Sequence, residues 1–154
     1  MYTEISLKNE LIIPVLKMMG DEFLSSSSVN LLYGTCAQES HLGRWRRQVG
    51  GGGALSIYQI EKPTFEWLYN SKYHTLILSI VGERKFEDLE DDDTLATIIC
   101  RLRYYVIFAP LPEAGDTEGL AKYWKEYYNT KKGKGTESEF ILNYGRFLDA
   151  ERND

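Results

Sequence analysis

A glutamate that closes an apolar helical pattern is the residue of this chain best suited to acid–base chemistry. Glu39 falls on the same helical stripe as Leu32 and Cys36, and Ser40 follows it. Apolar surroundings disfavour the charged form of a carboxyl group and raise its pKa. A carboxyl group that stays protonated near neutral pH can act as a general acid towards a leaving oxygen. A glutamate near a helix end is more often a plain surface residue, so the prediction depends on the segments that accompany Glu39.

Two other segments carry candidate site residues. Residues 54–60 follow a run of four glycines and include Gln59, whose amide can both donate and accept hydrogen bonds. Taken alone, this segment is typical of a short buried strand or a turn-like crossing. Tyr128 and Asn129 come late in the chain, at the end of a predicted helix. Taken alone, Tyr128 could equally be a core residue and Asn129 a helix C-cap.

Together, the first two segments resemble motifs of the lytic transglycosylases and goose-type lysozymes. In that group a Glu-Ser pair closes a helix, as Glu39 and Ser40 do here, and the serine helps to fix the loop across the cleft. The second motif is usually Gly-x-Met-Gln. Here Ser56 stands where Gly is commonest and Tyr58 where Met is commonest, while Gln59 keeps the amide that the family uses to hold the sugar. A motif match of this kind is a hypothesis.

The third family motif is an Ala-Tyr-Asn-like tripeptide, which the run ending in Tyr128-Asn129 resembles. The family continues with Ala-Gly, whereas this chain continues with Thr130-Lys131. The resemblance covers about residues 29–129. The organisation also resembles small lysozyme-like proteins of bacteriophages.

The resemblance implies an enzyme that cleaves peptidoglycan, most simply a lytic transglycosylase. Glu39 would protonate the oxygen between MurNAc and GlcNAc, and its carboxylate would then take a proton from the C6 hydroxyl of MurNAc. The product would be a 1,6-anhydro end, formed without water, metal or cofactor. The substrate-binding residues implied by the resemblance are Ser40, Tyr58, Gln59, Tyr128 and Asn129.

Two alternatives stay open. A hydrolytic lysozyme on the same fold would commonly use a second carboxylate, for which Glu61, Glu66 and a rim loop at residues 91–93 are candidates outside any convincing motif. A non-catalytic lysozyme-like module would bind sugar or a protein partner, for example as a structural component of a phage. The unusual Ser56 and Tyr58 fit that reading.

Composition narrows the setting. The net charge of −5 argues against a nucleic-acid binder and fits poorly with attraction to an anionic cell wall. The N-terminus does not resemble a signal peptide and no apolar stretch is long enough for a bilayer. We therefore expect synthesis in the cytoplasm. The resemblance implies action on the bacterial wall, which would need a pore, lysis-system partners or packaging in a virion. Cys36 and Cys100 lie in apolar patterns and are predicted to be buried thiols.

Two charged runs are predicted to be solvated loops. Arginines at positions 44, 46 and 47 follow Glu39, and an acidic run occupies residues 88–93.

Helical periodicity dominates the rest of the chain. A length of 154 residues favours one domain over residues 1–154. We expect a lysozyme-like, mostly α-helical domain of about six or seven helices, with at most one small β element. An acidic loop is expected at residues 82–92 and a basic loop at residues 131–135. The predicted helices cover residues 8–19, 29–39, 63–70, 72–80, 94–108, 116–128 and 136–148.

Overall fold

The computed structural model describes residues 1–129 and 133–152, with side chains described as far as residue 148. Seven helices form this part of the chain, which confirms the predicted mostly α-helical domain. Helix α1 covers residues 4–19 and is π-helical at Leu7–Ile12. The others are α2 (Ser26–Ser40), α3 (Lys62–Tyr69), α4 (His74–Val81), α5 (Asp93–Tyr105), α6 (Thr117–Trp124 with a π-helical end, Lys125–Asn129) and α7 (Glu137–Arg152).

Side-chain caps explain where several helices begin. The Ser25 hydroxyl accepts a hydrogen bond from the Ser28 amide, so α2 begins three residues before the predicted start. Asp92 caps α5 by accepting from the Leu95 amide, and Asp116 caps α6 by accepting from the Gly119 amide. Short 3-10 turns occupy Asp21–Phe23 and Phe86–Glu90, so the predicted loop at residues 82–92 is partly ordered.

The small β element is reduced to two isolated bridges, which join Leu55 to Arg47 and to Ile60. Residues 54–60 therefore form a turn-like crossing and not a strand. Among the described residues, no helix combines the length and apolar character needed to span a bilayer. The predicted basic loop at residues 131–135 lies partly outside the described residues.

Helices α2 and α5 form the centre of the core. The α2 residues Leu32, Cys36 and Ala37 are fully buried, as is Cys100 on α5. Both cysteines are free and buried, which confirms the prediction for them. Helix α7 crosses α2 at Gly34, where an added Cβ would lie 2.4 Å from Cζ of Phe140. This close approach holds α7 against the helix that carries Glu39 near its C-terminal end.

The two charged runs meet, so the prediction of solvated loops is wrong for Arg46. Its guanidinium donates to both carboxylate oxygens of Asp93, over 2.5 and 3.0 Å. The Tyr2 hydroxyl donates to the same carboxylate over 2.6 Å, and Arg84 pairs with Asp92 over 3.0 Å. We call these five residues the acidic corner. They tie the loop after α2 to the start of α5.

Candidate active site

A groove of about 590 Å³ lies beside the C-terminal end of α2. Its walls come from α2, the loop after it, the start of α3, the end of α6 and the start of α7. We call it the Glu39 groove. Its lining includes Gln38, Glu39, Trp45, Gln48, Gln59, Glu61, Tyr128, Asn129, Lys134 and Glu139.

Glu39 is half-buried in the wall of this groove. Nε1 of Trp124 donates a hydrogen bond to its Oε2 over 3.0 Å. Burial raises the pKa of the Glu39 carboxyl from 4.5 to about 7, the hydrogen bond from Trp124 opposes this rise, and the charge of Glu61 adds to it. The carboxyl is therefore present in both protonation states near neutral pH, which suits a group that must give and then take a proton.

Tyr128 forms the neighbouring part of the wall. Its ring stacks on Tyr104, with centroids 5.2 Å apart, and its hydroxyl donates to the Tyr58 carbonyl over 2.6 Å. The negative charge of Glu39 contributes to a raised pKa of Tyr128, after burial and the nearby Cys100. Tyr128 and Glu39 therefore line the same groove, and the tyrosine also ties α6 to the 54–60 crossing.

Ser40 is fully buried and lies behind the groove. Its hydroxyl donates to the Ile57 carbonyl over 2.6 Å and accepts from the Gly43 amide over 2.8 Å. This serine fixes the crossing against the end of α2, the role that the resemblance implies for it. The further prediction that Ser40 binds substrate is wrong, because its side chain does not reach the groove.

Tyr58 requires the same correction. Its side chain is fully buried in the core, and its hydroxyl shares a 2.9 Å hydrogen bond with Thr97. The predicted substrate contact of Tyr58 is replaced by a packing role. Its carbonyl is the group that faces Tyr128.

The crossing has an unusual backbone at its two motif positions. Ser56 has φ of 85° and Gln59 has φ of 53°, in the left-handed region that favours glycine. Ser56 occupies the position where glycine is commonest in the second motif of the lytic transglycosylases, which this segment resembles. The turn brings the Gln59 side chain to the groove, where its amide donates to the Ser56 carbonyl over 2.9 Å.

Asn129 also lines the groove, as predicted from the third motif. Its Oδ1 accepts a hydrogen bond from Lys125 over 2.7 Å. The same ammonium group donates to the carbonyls of Gly133 and Gly135, over 3.0 and 2.7 Å. Lys125 therefore ties Gly133 and Gly135 to the end of α6 beside the groove.

Three groove-side residues were not predicted as site residues. Trp124 is fully buried and lies four positions before Tyr128, a spacing that places both on one helical face and could have indicated its role. Trp45 is 38% exposed and packs on His41, with ring centroids 4.4 Å apart. Glu61 was considered only as a weak candidate, yet it lines the groove and acts on the pKa of Glu39.

The other carboxylates proposed for the rim lie elsewhere. Asp91, Asp92 and Asp93 line a separate depression with Tyr2 and Arg84, so the prediction of a rim loop is wrong for them. Glu66 is exposed on α3 and does not line the groove.

No protein-family model, curated protein or solved structure matches the chain. The resemblance to lytic transglycosylases therefore stays a prediction. It is supported by the placement of Glu39, Gln59, Tyr128 and Asn129 along one groove.

Proposed function

We propose that the protein cleaves the glycosidic bond between MurNAc and GlcNAc in peptidoglycan, as a lytic transglycosylase. The observation that carries the proposal is the half-buried Glu39 carboxyl in the wall of an open groove, held by a neutral donor and with no cation paired to it among the described residues. A groove of this size can take part of a glycan strand.

Glu39 performs both proton transfers in this proposal. In its protonated form it gives the proton to the glycosidic oxygen, and the bond from that oxygen to C1 of MurNAc breaks. The resulting carboxylate removes the proton from the C6 hydroxyl of the same sugar, whose oxygen bonds to C1. Glu39 ends protonated, as it began, and no water is consumed. A pKa near 7 suits both steps, because neither protonation state is strongly disfavoured.

Trp124 supports the second step. Its indole N–H stabilises the carboxylate that forms after the first proton transfer and holds one oxygen of Glu39 in place. Trp45, on the loop opposite, offers an exposed aromatic surface to the groove on which a sugar ring can pack.

Hydrolysis is the second candidate, and Glu61 is the observation that favours it. Two carboxylates on one groove can act as acid and base towards a water molecule. Glu61 lies close enough for its charge to raise the pKa of Glu39. In that reaction Glu61 would activate the water and the new chain end would be a reducing sugar.

Product analysis tests the proposal. Purified peptidoglycan is digested and the fragments are analysed by chromatography and mass spectrometry. Transglycosylation gives 1,6-anhydro ends, each lighter by one water than the reducing ends that hydrolysis gives. We expect anhydro ends with the wild type and with Glu61→Gln, and no products with Glu39→Gln. The matched control is Glu66→Gln, an exposed glutamate outside the groove, which should behave as wild type. If the wild type gives reducing ends and Glu61→Gln gives none, the protein is a hydrolase that uses Glu61. If the folded wild type gives no products, the protein is a non-catalytic binding module.

A further inference from the structure

A side pocket of about 170 Å³ opens off the Glu39 groove. It shares four lining residues with the groove, namely Gln59, Glu61, Tyr128 and Asn129. Whole-ligand sites usually measure roughly 300–1,000 Å³. The side pocket is smaller than that, so its size suits a substituent of a molecule that lies in the main groove.

Arg103 gives the side pocket its positive charge. It is half-buried on α5 and forms no hydrogen bond or ion pair with the residues that the structure describes. Arg101, two positions earlier, is already engaged: it is buried, donates to the Phe23 carbonyl over 2.8 Å and packs against Phe23 and Tyr105. A half-buried guanidinium has five N–H donors, and here none of them has an acceptor among the described residues. Such a group is suited to bind an anion.

The other residues that line the side pocket indicate which chemical groups its ligand carries. Thr64 contributes a hydroxyl, and Gln59 and Asn129 contribute amides. Ile60 and Ile99 contribute apolar surface. A planar carboxylate on a short aliphatic stem matches this set, because Arg103, the Thr64 hydroxyl and the NH2 group of Asn129 can donate to its oxygens beside the apolar isoleucines.

We propose that the side pocket binds a carboxylate carried by the lactyl-peptide substituent of the muramic acid in the Glu39 groove. This inference rests on the proposed function, since it requires a muramic acid beside Glu39. Within the sugar backbone, only muramic acid bears a substituent that ends in carboxylates, and GlcNAc bears none. The pocket therefore fixes which of the two sugars lies next to the acid, and it disfavours chitin as a substrate.

The carboxylate has two sources. In strands stripped of peptide by an amidase, the lactyl group itself ends in a carboxylate. In peptide-bearing strands, the lactyl group is an amide and the carboxylates belong to the stem peptide. Glu61 also borders the pocket, so its negative charge opposes either ligand. Glu61→Gln is expected to tighten binding of both.

Binding measurements in a Glu39→Gln background test the inference without consuming the ligand. Three soluble ligands are titrated by calorimetry: a chitin oligosaccharide, a glycan fragment stripped of peptide, and the same fragment with its stem peptides. Arg103→Ala is expected to weaken binding of at least one carboxylate-bearing ligand about ten- to a hundredfold, the range for a lost hydrogen bond to a charged group. Chitin binding should not change. Whichever fragment loses affinity identifies the source of the carboxylate.

Two further variants control for folding and for charge. Arg103→Gln keeps most of the side-chain volume and should weaken binding as Arg103→Ala does, while Arg103→Lys should restore part of it. Lys17→Ala removes the same charge from an exposed position on α1 and should leave all three affinities unchanged.

The inference is overturned if Arg103→Ala leaves all three affinities unchanged, or weakens chitin binding as much as the others. Its failure is distinguishable from failure of the proposed function. If Arg103→Ala cleaves peptidoglycan as the wild type does and its affinities are unchanged, the proposed glycosidase activity is retained and the proposed carboxylate pocket is rejected. If binding depends on Arg103 but the wild type cleaves no peptidoglycan, the pocket is retained and the glycosidase activity is rejected.

Discussion

The Glu39 groove and the acidic corner both gather carboxylates, but they neutralise them differently. In the acidic corner, Asp93 receives two N–H groups from Arg46, over 2.5 and 3.0 Å, and a hydroxyl from Tyr2 over 2.6 Å. The hydrogen bond to Asp93 raises the pKa of the Arg46 guanidinium, which keeps it charged. In the groove, Glu39 receives one neutral indole N–H over 3.0 Å.

The charge of the hydrogen-bond donor distinguishes a carboxylate that stabilises the fold, Asp93, from one that can exchange a proton, Glu39. A carboxylate matched by a guanidinium anchors the chain, because two formal charges and several hydrogen bonds oppose any change of protonation state. Glu39 is buried without a cation, so burial raises its pKa to about 7 and its proton is exchangeable near neutrality. Substitutions of single groups in each region test this difference.

Replacing each carboxylate by an amide has the largest expected effect. Glu39→Gln should lower the rate of wall cleavage at least about a hundredfold, the usual scale for a lost acid catalyst, with the fold intact. Asp93→Asn should leave the rate within a few-fold of wild type. Turnover of purified peptidoglycan measures both. A folded Glu39→Gln variant with near-normal activity would remove Glu39 from the mechanism.

The same two variants should change the free energy of unfolding in opposite directions: above pH 7, Glu39→Gln should stabilise the protein and Asp93→Asn should destabilise it. Folding raises the pKa of Glu39 from 4.5 to about 7, so the folded wild type holds an extra proton between these values and loses stability as pH rises through them. Glu39→Gln removes that loss and should be more stable than wild type above pH 7, by on the order of 2–3 kcal/mol. Asp93→Asn should be less stable, by about 1–3 kcal/mol. Urea unfolding at several pH values gives both differences.

Removing the indole donor should shift the pH profile. Trp124→Phe keeps an aromatic ring but loses the N–H that stabilises the Glu39 carboxylate, so the pKa of Glu39 should rise. The alkaline limb of the activity profile should then move up by about one pH unit, since a hydrogen bond to a charged group contributes roughly 1.5–3 kcal/mol. Phe140→Leu loosens packing against the same indole without removing the donor, and it should leave the limb in place.

Removing the cover over the acid should shift the profile the other way. Tyr128→Ala admits water to Glu39 and lowers its pKa, so the alkaline limb should move to lower pH. Tyr128→Phe keeps the ring and loses the hydroxyl with its hydrogen bonds to the Tyr58 carbonyl and Cys100, so its shift should be smaller. Unchanged profiles in both variants would mean that Tyr128 does not contribute to the site.

The smallest expected effect concerns the loops of the two regions. Residues 47–54 include three exposed glycines with positive φ, and the base of this loop is closed by the Gln48 amide donating to the Ala54 carbonyl over 3.0 Å. We expect fast amide exchange in this loop and protection when glycan binds. Residues 82–92 are the control and should not respond, because Arg47 pairs with Glu90, Arg84 pairs with Asp92, and Arg46 donates to the Glu90 carbonyl over 3.1 Å. Hydrogen exchange with and without a glycan fragment measures both loops, and equal exchange in the two conditions would mean that the glycine loop is no lid.

Local patterns predicted most of the fold. Apolar periodicity located all seven helices, because each buries one stripe against its neighbours. Boundaries were less predictable: α2 was predicted to begin at residue 29, although Ser25 caps it and it begins at Ser26. The end of α5 was also missed, since apolar residues continue after Tyr105 outside the helix.

The site was only partly predictable for a related reason. Glu39, Gln59, Tyr128 and Asn129 could be selected from their motifs, but the hydrogen bond from Trp124 to Glu39 joins residues 85 positions apart and has no local signature. Tyr58 was misplaced because its predicted substrate role came from its position in the second motif, and a motif position does not show whether a side chain faces the core or the groove.

Direct titration of the Glu39 carboxyl shows whether it can act as the acid. Glutamate labelled at its carboxyl carbon is followed by NMR from low to high pH, and the Glu39→Gln variant assigns the signal. We predict that the Glu39 signal titrates with a pKa of about 7, and that Trp124→Phe moves this midpoint upwards. A Glu39 signal that titrates at an ordinary glutamate value, roughly 4.3, would contradict the account, because the carboxyl would then be ionised near neutral pH and could not serve as the acid.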